Sequence, residues 1–148
     1  VPRYSKSGDQ GQNRDMAHTR HSYFVSYTKA FADVFSRGRL VQLHGFAKEK
    51  RRTESGRQAD VILSSGSPIL PQHIRELSAC LKRTRFDIAL YPLQVSELGG
   101  TTNISGNILQ SMGHSGFVHL EMNYQLRKSM ASSSQLLRTF QNCLELGK

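Results

Sequence analysis

Hydrophobic side chains recur along this chain with two periods, one typical of helices and one typical of strands. A first helix is predicted from Ala17, and Gly38 closes it. Its repeating face consists of His21, Phe24, Thr28, Phe31 and Phe35. Because that face is largely aromatic, we expect it to be buried.

Two further helices follow from the same three- and four-residue spacing. One is predicted to start at Pro71, a residue that suits the first position of a helix. Its inner side carries Ile74, Leu77, Cys80 and Leu81. The last helix is predicted to be capped by Ser132 or Ser133. Its apolar face consists of Leu136, Leu137, Phe140 and Leu144.

Four short apolar runs are predicted to be strands, at residues 40–46, 60–64, 86–91 and 116–123. The resulting order of elements predicts an α/β fold with a mixed, mostly parallel sheet that helices cover on both faces. Residues 1–15 are almost free of apolar side chains, so we expect a polar, poorly ordered segment there. Residues 16–148 then form a single α/β domain.

Two connections have unusual sequences. Residues 47–59 are charged and lack a hydrophobic period, which predicts a long loop that is either a mobile flap or functional. Residues 98–106 are rich in glycine and small polar side chains, including Gly99, Gly100 and Asn103. Such a loop can bring backbone N–H groups close to an anionic group or a carbonyl.

The chain is basic, with 20 Lys and Arg against 11 Asp and Glu and a formal net charge of +9 over 148 residues. This balance favours acidic substrates or polyanions as partners. Basic clusters without interleaved exposed aromatic residues or a recognisable groove-reading helix make nucleic acid the second choice. No apolar stretch approaches the roughly 20 residues of a membrane span, so no membrane partner is expected.

The two cysteines, Cys80 and Cys143, each lie in an apolar helical pattern without a closely spaced partner. This placement favours buried free thiols over a metal site or a disulfide, although a single bridge between them stays open.

Candidate chemistry concentrates at two strands. His44 lies near the end of the first strand, where loops beyond a sheet usually carry binding sites. Glu121 lies in the fourth strand, on the same side as Phe117 and His119 by alternation. An imidazole and a carboxylate at neighbouring strand ends predict a hydrolytic zinc site, with His44 as metal ligand and Glu121 as the residue that takes a proton from water. The alternative is a histidine whose ring is satisfied by nearby backbone.

A catalytic zinc takes three protein ligands, so His44 needs companions. His18 and His21 are three apart and are candidate ligands upstream of it. His73 and Glu76 have the same spacing, but they are expected to face solvent. His114 is assigned to a loop, and His119 to the strand beside the crevice. Neither a nucleophile elbow nor a phosphate-binding loop motif is present, so a serine hydrolase and a P-loop enzyme are poor candidates.

The motifs around these strands resemble the N-formylglutamate amidohydrolases, which are related to the zinc carboxypeptidases. The matching parts are a strand ending in His44-Gly-Phe, residues 59–66, Tyr91-Pro92 leading to Gly99-Gly100, and residues 117–127. The most specific part is Leu-Glu-Met-Asn-x-x-Leu-Arg at residues 120–127. The similarity spans residues 14–130.

The resemblance implies a carboxypeptidase-like, phosphorylase/hydrolase-like α/β fold and a zinc-dependent amide hydrolase. His44 matches the family's last metal ligand and Glu121 its catalytic carboxylate. The implied substrates are an acyl-amino acid, a glutamyl polymer or a peptide with a free carboxylate, bound by Arg14 or Arg127 together with the Gly99–Gly100 loop and Asn103.

The chain departs from the family pattern in one respect. The family takes its first two ligands from a His and a Glu in one motif ahead of the last His, and no His-x-x-Glu precedes His44 here. Either the chain is the later part of a longer protein, or His18 and His21 replace that motif, or the metal has been lost. We expect the first, so that a missing N-terminal portion or a partner chain completes the site. The competing hypothesis is a non-catalytic basic module that binds nucleic acid or another acidic polymer.

Overall fold

The computed structural model describes residues 22–145, which form six α-helices, four strands and one short 3-10 turn. The helices are α1 (Tyr23–Val34), α2 (Glu54–Gln58), α3 (Gln72–Arg83), α4 (Ile104–Ser111), α5 (Tyr124–Ser132) and α6 (Ser134–Glu145). The strands are β1 (Leu40–Phe46), β2 (Val61–Ser64), β3 (Ile88–Leu90) and β4 (Phe117–Asn123). The expectations for residues 1–15, Arg14, His18 and His21 lie outside the described residues.

The four strands form one sheet in the order β1-β4-β2-β3. β1 runs parallel to β4, and β2 runs parallel to β3, whereas β2 and β4 are antiparallel. The predicted α/β class with a mixed, mostly parallel sheet is therefore confirmed. β4 lies inside the sheet, between β1, which is parallel to it, and β2, which is antiparallel to it.

The two faces of the sheet differ in composition. The strand side chains that point to one face, including Val61, Leu63 and Leu120, form the larger apolar core together with α3, α5 and α6. Strand side chains that point to the other face, including Phe46 and Ile62, form a smaller apolar cluster. The histidines and the glutamate of the strands share this second face, so the smaller apolar cluster borders the polar group.

Asparagine side chains begin two helices that the hydrophobic pattern did not predict. Asn103 accepts a hydrogen bond from Gly106 N at 3.2 Å and caps α4, which begins inside the loop predicted at residues 98–106. Asn123 accepts one from Leu126 N at 2.8 Å, so α5 follows β4 without a connecting loop. Both helices rest on a local polar contact.

The prediction of a long loop at residues 47–59 was wrong. A 3-10 turn (Lys48–Lys50) and α2 occupy this segment. The carboxylate of Glu97 anchors it by accepting hydrogen bonds from Arg52 N at 2.6 Å, Thr53 N at 3.1 Å and Arg51 Nη1 at 3.1 Å. Burial acts to raise the pKa of Glu97, but these N–H groups and the charge of Arg51 hold it below its usual 4.5. Polar contacts therefore order a segment without a hydrophobic period.

The predicted burial of the aromatic face of the first helix was also wrong for the part described. Phe24 and Phe35 are 52% and 56% exposed. The buried residue of α1 is Thr28, whose hydroxyl lies 3.0 Å from that of Ser105 on α4. The small side chains at this contact let the two helices approach closely, so packing with α4 is centred on Thr28 instead of the rings.

The expectation of free thiols is corrected, because Cys80 on α3 and Cys143 on α6 form a disulfide. The two residues are separated by 63 positions and their Cα atoms lie 5.6 Å apart. Both side chains are buried at the contact between α3 and α6. No local sequence pattern predicts this pairing, since it depends on how two distant helices pack.

Reducing this disulfide should lower the free energy of unfolding by about 2–4 kcal/mol, because it releases a long loop in the unfolded chain. Urea unfolding with and without a thiol reductant measures the effect. The double variant Cys80→Ala/Cys143→Ala is the control, since the reductant should leave its midpoint unchanged. Equal midpoints for the bridged and the reduced protein would contradict the prediction.

Candidate metal centre

Parallel pairing of β1 with β4 brings the predicted residues together. The register places His44 directly opposite Glu121 and Gln42 opposite His119. Because side chains alternate along a strand, these positions project from the same face of the sheet. The expected convergence of His44 and Glu121 is therefore present, and His119 joins them from the same strand as Glu121.

The three side chains form a compact group. One donor atom from each of His44, His119 and Glu121 lies within 4.8 Å of the other two. His119 Nε2 lies 4.0 Å from Glu121 Oε1, and the two imidazole rings have centroids 4.5 Å apart at a tilt of 31°. His119 and Glu121 are buried, and His44 is partly exposed. Solvent thus reaches the group from the side of His44.

This group could hold a metal ion. Two imidazoles and a carboxylate form a donor set found in catalytic zinc sites, with three protein ligands and one position left open. Ligand atoms about 2 Å from a tetrahedral ion lie about 3.3 Å apart, so the longest separation here would have to shorten by about 1.5 Å. Small side-chain rotations can supply that change, and the donor set therefore fits a metal.

The glycine-rich loop supports His119. Ser64, which pairs with His119 across the antiparallel strands, donates a hydrogen bond from its hydroxyl to the Gly99 carbonyl at 2.6 Å. Gly100 has a φ of +62°, and a Cβ at this position would lie 2.6 Å from the imidazole of His119. The backbone of Gly100 therefore packs directly on the ring. A Cβ on Gly99 would instead meet the ring of Tyr91.

Asn103 contacts the group indirectly. It is buried, and its Nδ2 donates a hydrogen bond to Gln42 Oε1 at 2.6 Å. The same oxygen lies 3.4 Å from Nε2 of His44. Asn103 thus links the start of α4 to a candidate ligand through Gln42.

Arg127 lies on the other face of the sheet. A Cβ added to Gly45 would meet its guanidinium at 2.7 Å, and Gly45 projects opposite to His44 by alternation. Arg51 is a cation on the same side as His44, because its guanidinium lies 5.8 Å from the ring centroid of Phe46, two residues further along β1. Sequence reasoning did not single out Arg51.

The remaining histidines of the described chain lie elsewhere. The ring of His114 links Gly116 N at 3.1 Å to the Phe35 carbonyl at 2.8 Å. His73 lies in the first turn of α3 and is partly buried, which corrects the expectation that it faces solvent. His119 is the candidate ligand that sequence reasoning left out. Its signal was the spacing of two from Glu121, which puts both on one face of a strand.

Comparison of the chain with protein-family models, with curated proteins and with solved structures gives no match. The resemblance to the N-formylglutamate amidohydrolases therefore stays a hypothesis drawn from its motifs.

Removing either imidazole should weaken metal binding at this group. We expect His44→Ala and His119→Ala each to weaken zinc binding by at least about tenfold, since each deletes one of three donors. Zinc content after dialysis and titration with a chromophoric chelator measure the loss. His73→Ala removes an imidazole outside the group and should keep its zinc. Equal zinc content in all three variants would contradict this assignment.

A side chain at position 100 should disturb His119. We expect Gly100→Ala to destabilise the fold by about 1–3 kcal/mol, because it combines a left-handed backbone conformation with a contact against the ring. Gly113→Ala is a matched control, since Gly113 has a φ of +72° but a Cβ there meets nothing within 4 Å. Urea unfolding and zinc titration compare the two variants. If both variants lose the same stability and bind zinc equally well, Gly100 does not support His119.

Proposed function

We propose that this chain is a zinc-dependent amide hydrolase that acts on a substrate carrying a carboxylate. The single observation that carries the proposal is the convergence of His44, His119 and Glu121 within 4.8 Å. The motif resemblance to the N-formylglutamate amidohydrolases points to the same chemistry, and it is the source of the proposed substrate class.

Zinc is the metal that suits these donors. A site with both imidazole nitrogens and a carboxylate favours zinc, which is intermediate between hard and soft metal ions. Mg²⁺ and Ca²⁺ instead prefer sites made only of oxygen atoms. When bound, zinc would supply Lewis acidity to a water molecule and to a carbonyl oxygen. His44 and His119 would hold the ion, and the partly exposed position of His44 leaves one side open to a substrate.

Glu121 can act both at the ion and on a proton, because a carboxylate has two oxygens. In hydrolysis, water adds to the acyl carbon while its proton passes to the carboxylate. The carbon–nitrogen bond then breaks, and the same proton is delivered to the leaving amine. Burial of Glu121 beside Ile62 keeps bulk water away from this transfer.

The proposed substrates are an acyl-amino acid, a glutamyl polymer or a peptide with a free carboxylate. The net charge of +9 attracts such anions. Further ligands from another part of a longer protein or from a partner chain belong to this proposal. Among residues 22–145, no helix has the length and apolar character needed to cross a membrane.

Glu121→Gln should lower turnover of N-acyl-glutamate substrates by at least about 100-fold, because the amide cannot accept the proton. Zinc should be retained, because the amide oxygen of glutamine can still serve as the third ligand, whereas His44→Ala and His119→Ala delete a ligand. Glu49→Gln, which changes an exposed glutamate in the 3-10 turn, is the matched control and should keep full activity. Amine release from a panel of N-formyl, N-acetyl and N-succinyl glutamates measures turnover.

The outcomes separate the hypotheses. Full turnover in Glu121→Gln would show that Glu121 takes no part in the mechanism. Loss of zinc from this variant would show that Glu121 acts chiefly as a metal ligand. If the wild type instead hydrolyses none of the panel and binds polyanions with a steep salt dependence that Glu121→Gln leaves intact, the chain is the basic binding module.

A further inference from the structure

A second polar cavity lies at the opposite end of β1 and β4 from the metal group. It has a volume of about 150 Å³ and is lined by the turn before β1, the turn before β4 and the first turn of α3. None of His44, His119 and Glu121 lines it. The cavity is therefore distinct from the metal group.

The lining of this cavity is cationic. Arg37 and Arg39 both border it, together with the hydroxyl-bearing residues Ser36 and Ser115. Arg39 also contacts the Glu76 carboxylate at 3.8 Å, but a guanidinium carries five N–H donors and can serve more than one acceptor. Arginine residues at a small cavity favour tetrahedral oxyanions as ligands, because guanidinium N–H groups pair well with their oxygens.

His73 provides an independent observation. Its side chain lines the cavity, and its Nε2 is buried without a hydrogen-bond partner. Such an atom in a folded protein usually marks a water or an ion that completes the site. Burial, the larger effect, and the charge of Arg39 lower the pKa of His73 from its usual 6.5, although the Phe117 backbone and Glu76 act to raise it. An anion bound beside the ring would offset the burial effect.

The position of His73 at the start of α3 also favours an anion in the cavity. α3 has 12 residues, and its first turn presents the positive end of the helix dipole to the cavity. The cavity is several times larger than the roughly 30 Å³ of one water molecule, which leaves room for a group of five non-hydrogen atoms.

We propose that this cavity, formed by Arg37, Arg39, His73 and the adjoining serines, binds a phosphate group. The group comes either from inorganic phosphate or from a phosphate monoester, since Arg37 is exposed and leaves the cavity open to solvent. The site does not depend on the proposed hydrolase activity.

Isothermal titration with inorganic phosphate and, separately, with glycerol phosphate at constant ionic strength tests the site. We expect Arg37→Gln to weaken binding at least about tenfold. Arg83→Gln removes an equally exposed arginine at the end of α3 and should change the affinity less than about twofold. His73→Asn, which deletes Nε2, is a second variant that should also weaken binding. Tighter binding of glycerol phosphate than of phosphate supports a monoester as the ligand, and the reverse supports the free ion.

Equal effects of Arg37→Gln and Arg83→Gln would overturn the proposal, because they would show only diffuse attraction by net charge. Absence of binding to both probes at 10 mM, about the weakest affinity of interest, would overturn it as well. Zinc content of Arg37→Gln should match the wild type, so failure here is distinguishable from failure of the metal site.

Discussion

The in-register parallel pairing of β1 with β4 is the constraint on which the candidate site depends. The ladder begins where Leu40 N donates to the Gly116 carbonyl at 2.9 Å and continues to Phe46 opposite Asn123. A slip of one residue would turn every side chain of β1 to the other face of the sheet. His44 would then leave Glu121 and face the other side of the sheet, where Leu43 is half exposed and Gly45 lies against Arg127. The buried apolar face of β4 therefore fixes the geometry of the polar face.

The opposite edge of β4 is bounded by β2, and this pairing gives the site its second wall. Ser64 lies across from His119 and holds the glycine-rich loop, whose Gly100 packs on the imidazole. On the other side, Asn103 begins α4 and reaches β1 through Gln42. Polar contacts from two different connections thus position the histidines, and neither connection lies close in sequence to the ligand it supports.

Burial of a carboxylate and an imidazole in the centre of a sheet is unfavourable unless their charges and hydrogen bonds are compensated. An apolar pair at positions 119 and 121 would pack on the neighbouring cluster of Phe46 and Ile62 at lower cost. Departures of this kind from apolar packing are typical of functional sites. The phosphate cavity differs in location, because its cations come from turns at the other end of the same strands.

The sequence alone determined the α/β class, the approximate strands and the shared face of Glu121 and His119, because alternation and helical spacing depend on neighbours in the chain. It did not determine which strands pair, the disulfide of Cys80 with Cys143, or the shallow contact of α1 through Thr28. Those features were decided by contacts between segments far apart in sequence, whose energies no local pattern contains. His44 became part of a three-residue group only when tertiary structure set β1 beside β4.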